Sequence, residues 1–199
     1  MKLVLATKNE GKLSELLELA KEVPWLQLSL APDEFEPKET GKTFFENAQI
    51  KARLAASLTG LPALGDDSGL VVEALDGRPG IHSARYSDGN DGDRRRKLLH
   101  EMKAVPEGKR DAAFMCSMVL CNPDGLLLHS VIRAWTGHIG FEEIGENGFG
   151  FDPIFKVANS NLTAAQLSSV EKNRLSHRGQ AFREMLSYLS QHCFNVRCN

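Results

Sequence analysis

The stretch DAAFMCSMVLCNPDGLLLHSVIRAWTGHI (111–139) constrains the fold more than any other part of the chain. Two apolar runs flank NPDG (122–125), whose proline and glycine favour a tight chain reversal. That spacing predicts an antiparallel hairpin and argues against a purely parallel sheet. KLVLAT (2–7) and LQLSLA (26–31) read as short strands. From Lys12, Leu13, Leu16, Leu17 and Ala20 give a helical face that ends near Pro24. Thr43 with Glu46 three residues on is a capping box, opening a helix that runs to Gly60. DGRPG (76–80) is a turn, Thr163 starts a further helix, and a last one covers about 179–190. Helices alternating with strands predict an α/β fold, a sheet with a smaller lobe. With 199 residues and no internal repeat or linker, residues 1–199 form a single domain.

The charge balance excludes some partners. A formal net charge of -2 provides no global basic field for duplex DNA or RNA, although local lysines can still serve a small anion. MKLVLATKNEGK is no secretory signal, because its apolar run is short and lysines follow at once. No run approaches transmembrane length, so the expected location is the cytoplasm, away from membranes. Cys116 and Cys121 sit in an apolar run and are expected to be buried thiols. Neither that C-x4-C pair nor Cys193 and Cys198 matches a common zinc signature.

Four polar clusters interrupt the apolar elements. TKNEGK (7–12) links a strand to a helix, where free amides with Lys8 or Lys12 suit a phosphate; Thr7 and Asn9 serve equally as turn and cap residues. On the capped helix, Ile50, Leu54 and Leu58 form an apolar stripe with Asn47 and Lys51 in or beside it. This is either an ordinary helix with a snorkelling lysine or one that faces both a core and a polar cleft. In LPALGDDSGLVVEAL (61–75), Asp66, Asp67 and Ser68 read as an acidic break between two extended runs. Extended neighbours point to opposite faces, so both carboxylates share a site only if the backbone turns there; otherwise one serves the site and the other pairs elsewhere. An Asx turn explains the pair as well as a hard divalent cation does. The fourth cluster joins FGFDP (149–153) to VEKNRLSHRG (170–179). Phe149 and Phe151 either stack on a base or belong to the core. Lys172, His177 and Arg178 are polar candidates beside them. Arg94 to Lys97 reads as a solvated basic face.

Together LATKNEGK (5–12), ETGKTFFENAQIKA (39–52), LGDDSGLVVEALDGRPGIHSARYS (64–87), GFGFDPIF (148–155) and EKNRLSHRGQA (171–181) resemble the inosine triphosphate pyrophosphatase family, in the family's order along the chain. The resemblance implies an elongated α/β fold with a mixed, curved sheet, flanking helices and two lobes around a central cleft, usually in a homodimer. It implies Mg2+-dependent hydrolysis of deaminated-purine nucleoside triphosphates (ITP, dITP, XTP) to the monophosphate and pyrophosphate. The same resemblance puts substrate contacts on the 7–12 segment (Thr7, Lys8, Asn9, Glu10, Gly11, Lys12), on Ser68, on Phe149, Gly150, Phe151 and Asp152, and on Lys172, His177 and Arg178. Asp67 matches the family's essential acid, as metal ligand or as activator of water, and Lys51 a catalytic phosphate contact. Glu46 is the first choice for a second metal acid, with Glu39 competing; Asp66 shapes the turn or ligates a second ion. The run DGNDGDRRRK (88–97) and the tail FNVRCN (194–199) are expected to touch none of these sites. Two rival readings are a related house-cleaning pyrophosphatase for modified pyrimidine or methylated nucleotides, and a non-enzymatic nucleotide- or RNA-binding protein. Bare carboxylates at Asp66 and Asp67 disfavour the second, because they repel a nucleic-acid backbone.

Overall fold

The computed structural model describes residues 1–193; the tail 194–199, Cys198 within it and the side chain of Cys193 lie outside the described residues. The strands are β1 (Lys2–Ala6), β2 (Gln27–Leu30), β3 (Ala63–Val72), β4 (Asp111–Cys121), β5 (Leu127–Ile139) and β6 (Phe155–Val157). They form one six-stranded sheet in the order β2-β1-β3-β4-β5-β6. The sheet is mixed: β1 runs parallel to β2 and β3, whereas β6 is antiparallel to β5. The helices are α1 (Glu10–Ala20), α2 (Phe44–Thr59), α3 (Asp91–Glu101), α4 (Ser169–Leu175) and α5 (His177–Cys193).

The predicted hairpin is present. Asn122 N–H donates to Leu126 O at 3.0 Å and Gly125 N–H to Asn122 O at 2.9 Å, with Gly125 at φ 76. The cap at Thr43 also forms, its Oγ1 accepting from Glu46 N–H at 3.1 Å, and Gly60 closes α2 in the left-handed region at φ 63. Asn9 caps α1, which therefore starts at Glu10 rather than at Lys12. The expected break at Asp66 and Asp67 is absent, and β3 runs straight through both. Flanking apolar residues keep the strand in the sheet, and each carboxylate finds a cation on its own face. Thr163 opens only a short 3-10 turn (Ala164–Gln166). Helix α4, which the sequence reading did not anticipate, opens on Ser168 and Glu171, which cap each other reciprocally.

The chain forms two compact units. The first comprises Met1–Asp67, Cys116–Arg133 and the chain from Arg178 onward; the second comprises Ser68–Met115 and Ala134–His177. In the first unit the period-two alternation of β1 separates two layers. Leu3 and Leu5 pack with Leu16 of α1, Met118 and Leu120 of β4, and Phe182, Met185 and Leu189 of α5. Val4 and Ala6 pack with Ala55 and Ala56 of α2. Each fully buried leucine or phenylalanine contributes roughly 1.5–3 kcal/mol. The α2 layer is alanine-rich, and at Gly65 an added Cβ would lie 2.0 Å from Ala48 O. A glycine at that position lets the helix backbone touch the strand.

The second unit has its own core, in which Leu70, Val72, Leu98, Met102, Trp135 and Phe155 surround Phe114, whose ring centroid lies 4.6 Å from that of Phe155. Buried Arg110 pins the end of α3 to β5 by donating to the carbonyls of Met102, Val105, Ile139 and Gly140 at 2.7–2.9 Å. Its charge is tolerated there because the carbonyl oxygens satisfy its donors.

Candidate active site

The alternation of β3 decides where the two acids go. Leu64 shares the face covered by α1 and α5, and Asp66, two residues on, follows it. Asp66 Oδ1 accepts from Lys12 Nζ of α1 at 2.7 Å, and its Oδ2 accepts from Arg178 Nε of α5 at 2.8 Å. Arg178 Nη1 also binds Glu15 of α1. Asp66 and Arg178 are each 2% exposed. Burial alone would raise the Asp66 carboxyl, but Arg178 and Lys12 outweigh it and hold its pKa well below the usual carboxylate range. Cys116 lies 3.8 Å from Asp66 Oδ2, and burial beside that carboxylate pushes its thiol up. Cys116 and Cys121 are buried thiols, as expected.

Asp67 points the other way, toward α2. Its Oδ1 accepts from Lys51 Nζ at 2.6 Å and its Oδ2 from Asn47 Nδ2 at 3.4 Å. The same Lys51 nitrogen lies 2.6 Å from Glu39 Oε1. Lys51 and Asn47 stand one helical turn apart, so one face of α2 serves a single carboxylate. Asn47 Oδ1 also accepts from Gly41 N–H at 2.9 Å, tying the loop that carries Glu39 to the first turns of α2. A Cβ at Gly41 would lie 2.6 Å from that oxygen, so glycine permits the close pass. Glu46, by contrast, is exposed, and its carboxylate accepts from Lys42 N–H at 2.5 Å rather than from Thr43 N–H, so the predicted capping box forms only on its Thr43 side. Burial raises the Asp67 carboxyl, Lys51 and Lys12 only partly offset this, and the nearby Glu39 carboxylate adds to the rise. Lys51 is penalised by burial, yet Asp67 and Glu39 together keep its pKa above the ordinary value.

The 7–12 segment belongs to the same unit. Thr7 Oγ1 accepts from Asn9 N–H at 3.1 Å, Asn9 Oδ1 accepts from Lys12 N–H at 3.0 Å, and Lys8 Nζ donates to Asp33 O at 2.7 Å. Turn and cap roles are thus realised at Thr7 and Asn9, and they aim Lys12 at Asp66. Glu10 and Gly11 form the first turn of α1.

The remaining candidates lie in the second unit. Lys172 Nζ is 2.5 Å from Asp152 Oδ2 and 4.7 Å from the centroid of the Phe149 ring. The same Asp152 oxygen accepts from Phe149 N–H at 2.8 Å. At Gly148 (φ 75) a Cβ would lie 2.1 Å from that oxygen and 3.2 Å from Lys172 Nζ, so the glycine opens room for the ion pair. Phe149 is half-buried, whereas Phe151 is a core residue packed with Ile154 and Phe155. Of the two stacking candidates, therefore, only Phe149 stands outside the core. His177 lies parallel to Phe114, with ring centroids 5.0 Å apart. The boundary between units falls between His177 and Arg178, as it does between Asp67 and Ser68. The two expected base-recognition neighbours thus sit in different cores.

Three groups escaped the sequence reading. Glu15 is three residues after Lys12 on one helical face, a spacing that pointed to it. Asp91 and Arg95 belong to the run expected to touch no site, yet both bond the backbone of Gly150. Nor is that run a plain solvated face: Lys97 donates to Tyr86 O at 2.6 Å and lies over its ring. A cavity of about 780 Å³ in the second unit, lined by Val71, Glu73, Asp111 and His138 among others, contains none of the candidate residues.

Comparison with known proteins places the chain in a family. The chain is 46% identical over 200 residues to a dITP/XTP pyrophosphatase of Idiomarina loihiensis, covering 95% of this chain and 98% of the relative. It is 47% identical over 192 residues to a dITP/XTP pyrophosphatase of Geobacter sulfurreducens, covering 94% and 96%. The solved structure of a HAM1 protein from Coxiella burnetii superposes with a TM-score of 0.84 at 41% identity, covering 96% of this chain and 99% of that one. A nucleoside-triphosphatase / dITP/XTP pyrophosphatase from Mycobacterium abscessus gives a TM-score of 0.74 at 39% identity, with 95% and 100% covered. The Ham1 family model matches residues 3–188, from β1 into α5 and through every motif above, and the chain belongs to the Ham1 family.

Proposed function

We propose that this chain hydrolyses deaminated-purine nucleoside triphosphates (ITP, dITP, XTP) to the nucleoside monophosphate and pyrophosphate. The observation that carries this is the convergence of Glu39 and Asp67 on one cationic nitrogen, beside a strand that also gathers Lys12 and Arg178. The relatives named dITP/XTP pyrophosphatases support the substrate class.

The donor set fits Mg2+. Magnesium takes oxygen ligands, commonly one or two carboxylates with phosphates and waters completing the shell. Glu39 and Asp67 already place oxygens 2.6 Å from one point of positive charge. When bound, the ion supplies positive charge to phosphate oxygens and steadies the pyrophosphate leaving group. Glu39 and Asp67 are its proposed ligands; Glu46 is assigned to the backbone of Lys42.

The chain's own residues divide the remaining work. Lys12 and Lys51 offset triphosphate charge, with the α1 N-terminus beside them. Asp67 orients the attacking water or takes its proton, and no covalent intermediate is needed. In the second unit Phe149 offers a stacking face, with Lys172 held by Asp152. A base pocket whose donors match a six-oxo group discriminates strongly against a six-amine, which would leave those donors unmatched. The family reading also brings a homodimer and a cytoplasmic location. Among the described residues no helix is long and apolar enough to cross a membrane.

The test is incubation with a panel of nucleoside triphosphates and Mg2+, with products resolved by chromatography. The expected products are inosine and xanthosine monophosphates with pyrophosphate, formed much faster than from the four standard nucleotides. Release of single phosphate, or equal rates across bases, overturns the reading.

A further inference from the structure

We infer that α3, through Asp91 and Arg95, positions the base-binding loop and sets base selectivity, an inference that rests on the assignment of Phe149 to Asp152 as the base segment. Gly150 follows Phe149 at φ 62, in the left-handed region, and a Cβ there would meet nothing within 4 Å. No side chain anchors the loop at that position. Its backbone is held instead from α3. Gly150 N–H donates to Asp91 Oδ2 at 2.7 Å, and Gly150 O accepts from Arg95 Nη1 at 2.8 Å. Asp91 and Arg95 are four residues apart on one face of α3, so the helix grips both polar groups of one residue.

The grip is braced on both sides. Arg95 Nε bonds Glu143 Oε2 at 2.7 Å, joining the same guanidinium to an earlier point of the same connection. Asp91 is held by Arg94, which also reaches Gly89 O at 3.1 Å. Both bonds to Gly150 involve an ionised partner, the stronger class of hydrogen bond. Phe149 is fixed at its own N–H by Asp152 and across its ring by Lys172. Gly150 is the next link, and a glycine released from both bonds gains wide backbone freedom. A stacking ring sets the depth and tilt at which a base edge meets its donors, so loosening the ring costs selectivity before it costs chemistry.

The test compares wild type with Arg95→Ala, Arg95→Lys and Asp91→Asn by kcat and KM on ITP and ATP, by pyrophosphate inhibition and by thermal unfolding. The ITP-over-ATP ratio of kcat/KM is expected to fall about tenfold in Arg95→Ala and Asp91→Asn, mainly through KM for ITP, since small misplacements of a bound group have effects of this order. Arg95→Lys keeps the charge but cannot bridge Glu143 and Gly150 together, and it falls between. The kcat changes less than about threefold and pyrophosphate inhibition is unchanged, because the phosphate residues are not involved. A ratio within about twofold of wild type in all three variants, or an equal loss of kcat on both nucleotides, overturns the inference. Should Arg95→Ala fail to fold, Glu143→Gln loosens Arg95 without removing it; a ratio lowered about threefold supports the inference and an unchanged ratio overturns it. A wild-type protein without ITP hydrolysis overturns the functional reading and this inference together, whereas an active wild type with indifferent variants overturns the inference alone.

Discussion

Asp66 and Asp67 are adjacent in sequence and occupy different chemical worlds. Asp66 meets Lys12 and Arg178 on the α1 and α5 face, one cation of its own and one shared with Glu15. Asp67 meets Lys51 on the α2 face and shares it with Glu39, two carboxylates for one positive charge. The first is over-compensated, and its pKa is held far down. The second is under-compensated, and its pKa is raised. The saturated acid organises its neighbours. The starved acid shares its one paired cation with Glu39, the arrangement on which the proposed metal site rests.

The largest expected effect breaks the starved side. Asp67→Asn keeps the shape and removes the base, so kcat should fall by about 10³-fold or more in the pyrophosphate-release assay while circular dichroism stays native. Near-normal turnover would remove Asp67 from the chemistry. On the saturated side, Asp66→Asn leaves Lys12 and Arg178 facing a neutral amide in a buried site, and denaturant unfolding at neutral pH should show a loss of about 3–5 kcal/mol. The acid dependence carries a sign. Asp66 has a folded pKa below its unfolded value near 3.8, so its stabilisation is complete above that value and fades as pH falls below it. The stability gap between wild type and Asp66→Asn should therefore shrink below about pH 4; a gap that widens in acid contradicts the pairing. Glu39→Gln sharpens the contrast, raising the Mg2+ concentration needed for half-maximal activity about 10–100-fold. Glu46→Gln is the smallest change, with a stability loss of about 1 kcal/mol or less and an unaltered Mg2+ requirement. Reversal of those last two results would return Glu46 to the metal site.

Much of this was legible beforehand. The NPDG reversal, the Thr43 cap and the β1 strand are local signals, and each stands where expected. The acidic pair was read as a break because two charges look wrong in a strand, although the alternative of opposite faces was already open. Which held depended on cations that arrive from residues 12, 51 and 178, and local pattern does not report their approach. Glu39 and Glu46 were likewise inseparable by spacing. A loop pinned at Gly41 carries one to Lys51, while the other bonds the backbone of Lys42 just ahead of its own helix. The run 88–97 looked inert because its contacts reach Glu143 and Gly150, about fifty residues away in sequence.

By itself, the sequence determined that the chain is α/β and that its sheet is not purely parallel, and it located the acids and lysines that interrupt the apolar elements. These follow from periodicity, turn chemistry and residue type, which act within a few positions. Only the tertiary structure decided that Asp66 is saturated and Asp67 is not, that Glu39 rather than Glu46 joins Lys51, that Phe151 is core, and that α3 grips Gly150. Those outcomes depend on which charges and backbones meet after burial, where a carboxylate's behaviour is set by the count of cations within a few ångströms and not by its neighbours in the chain.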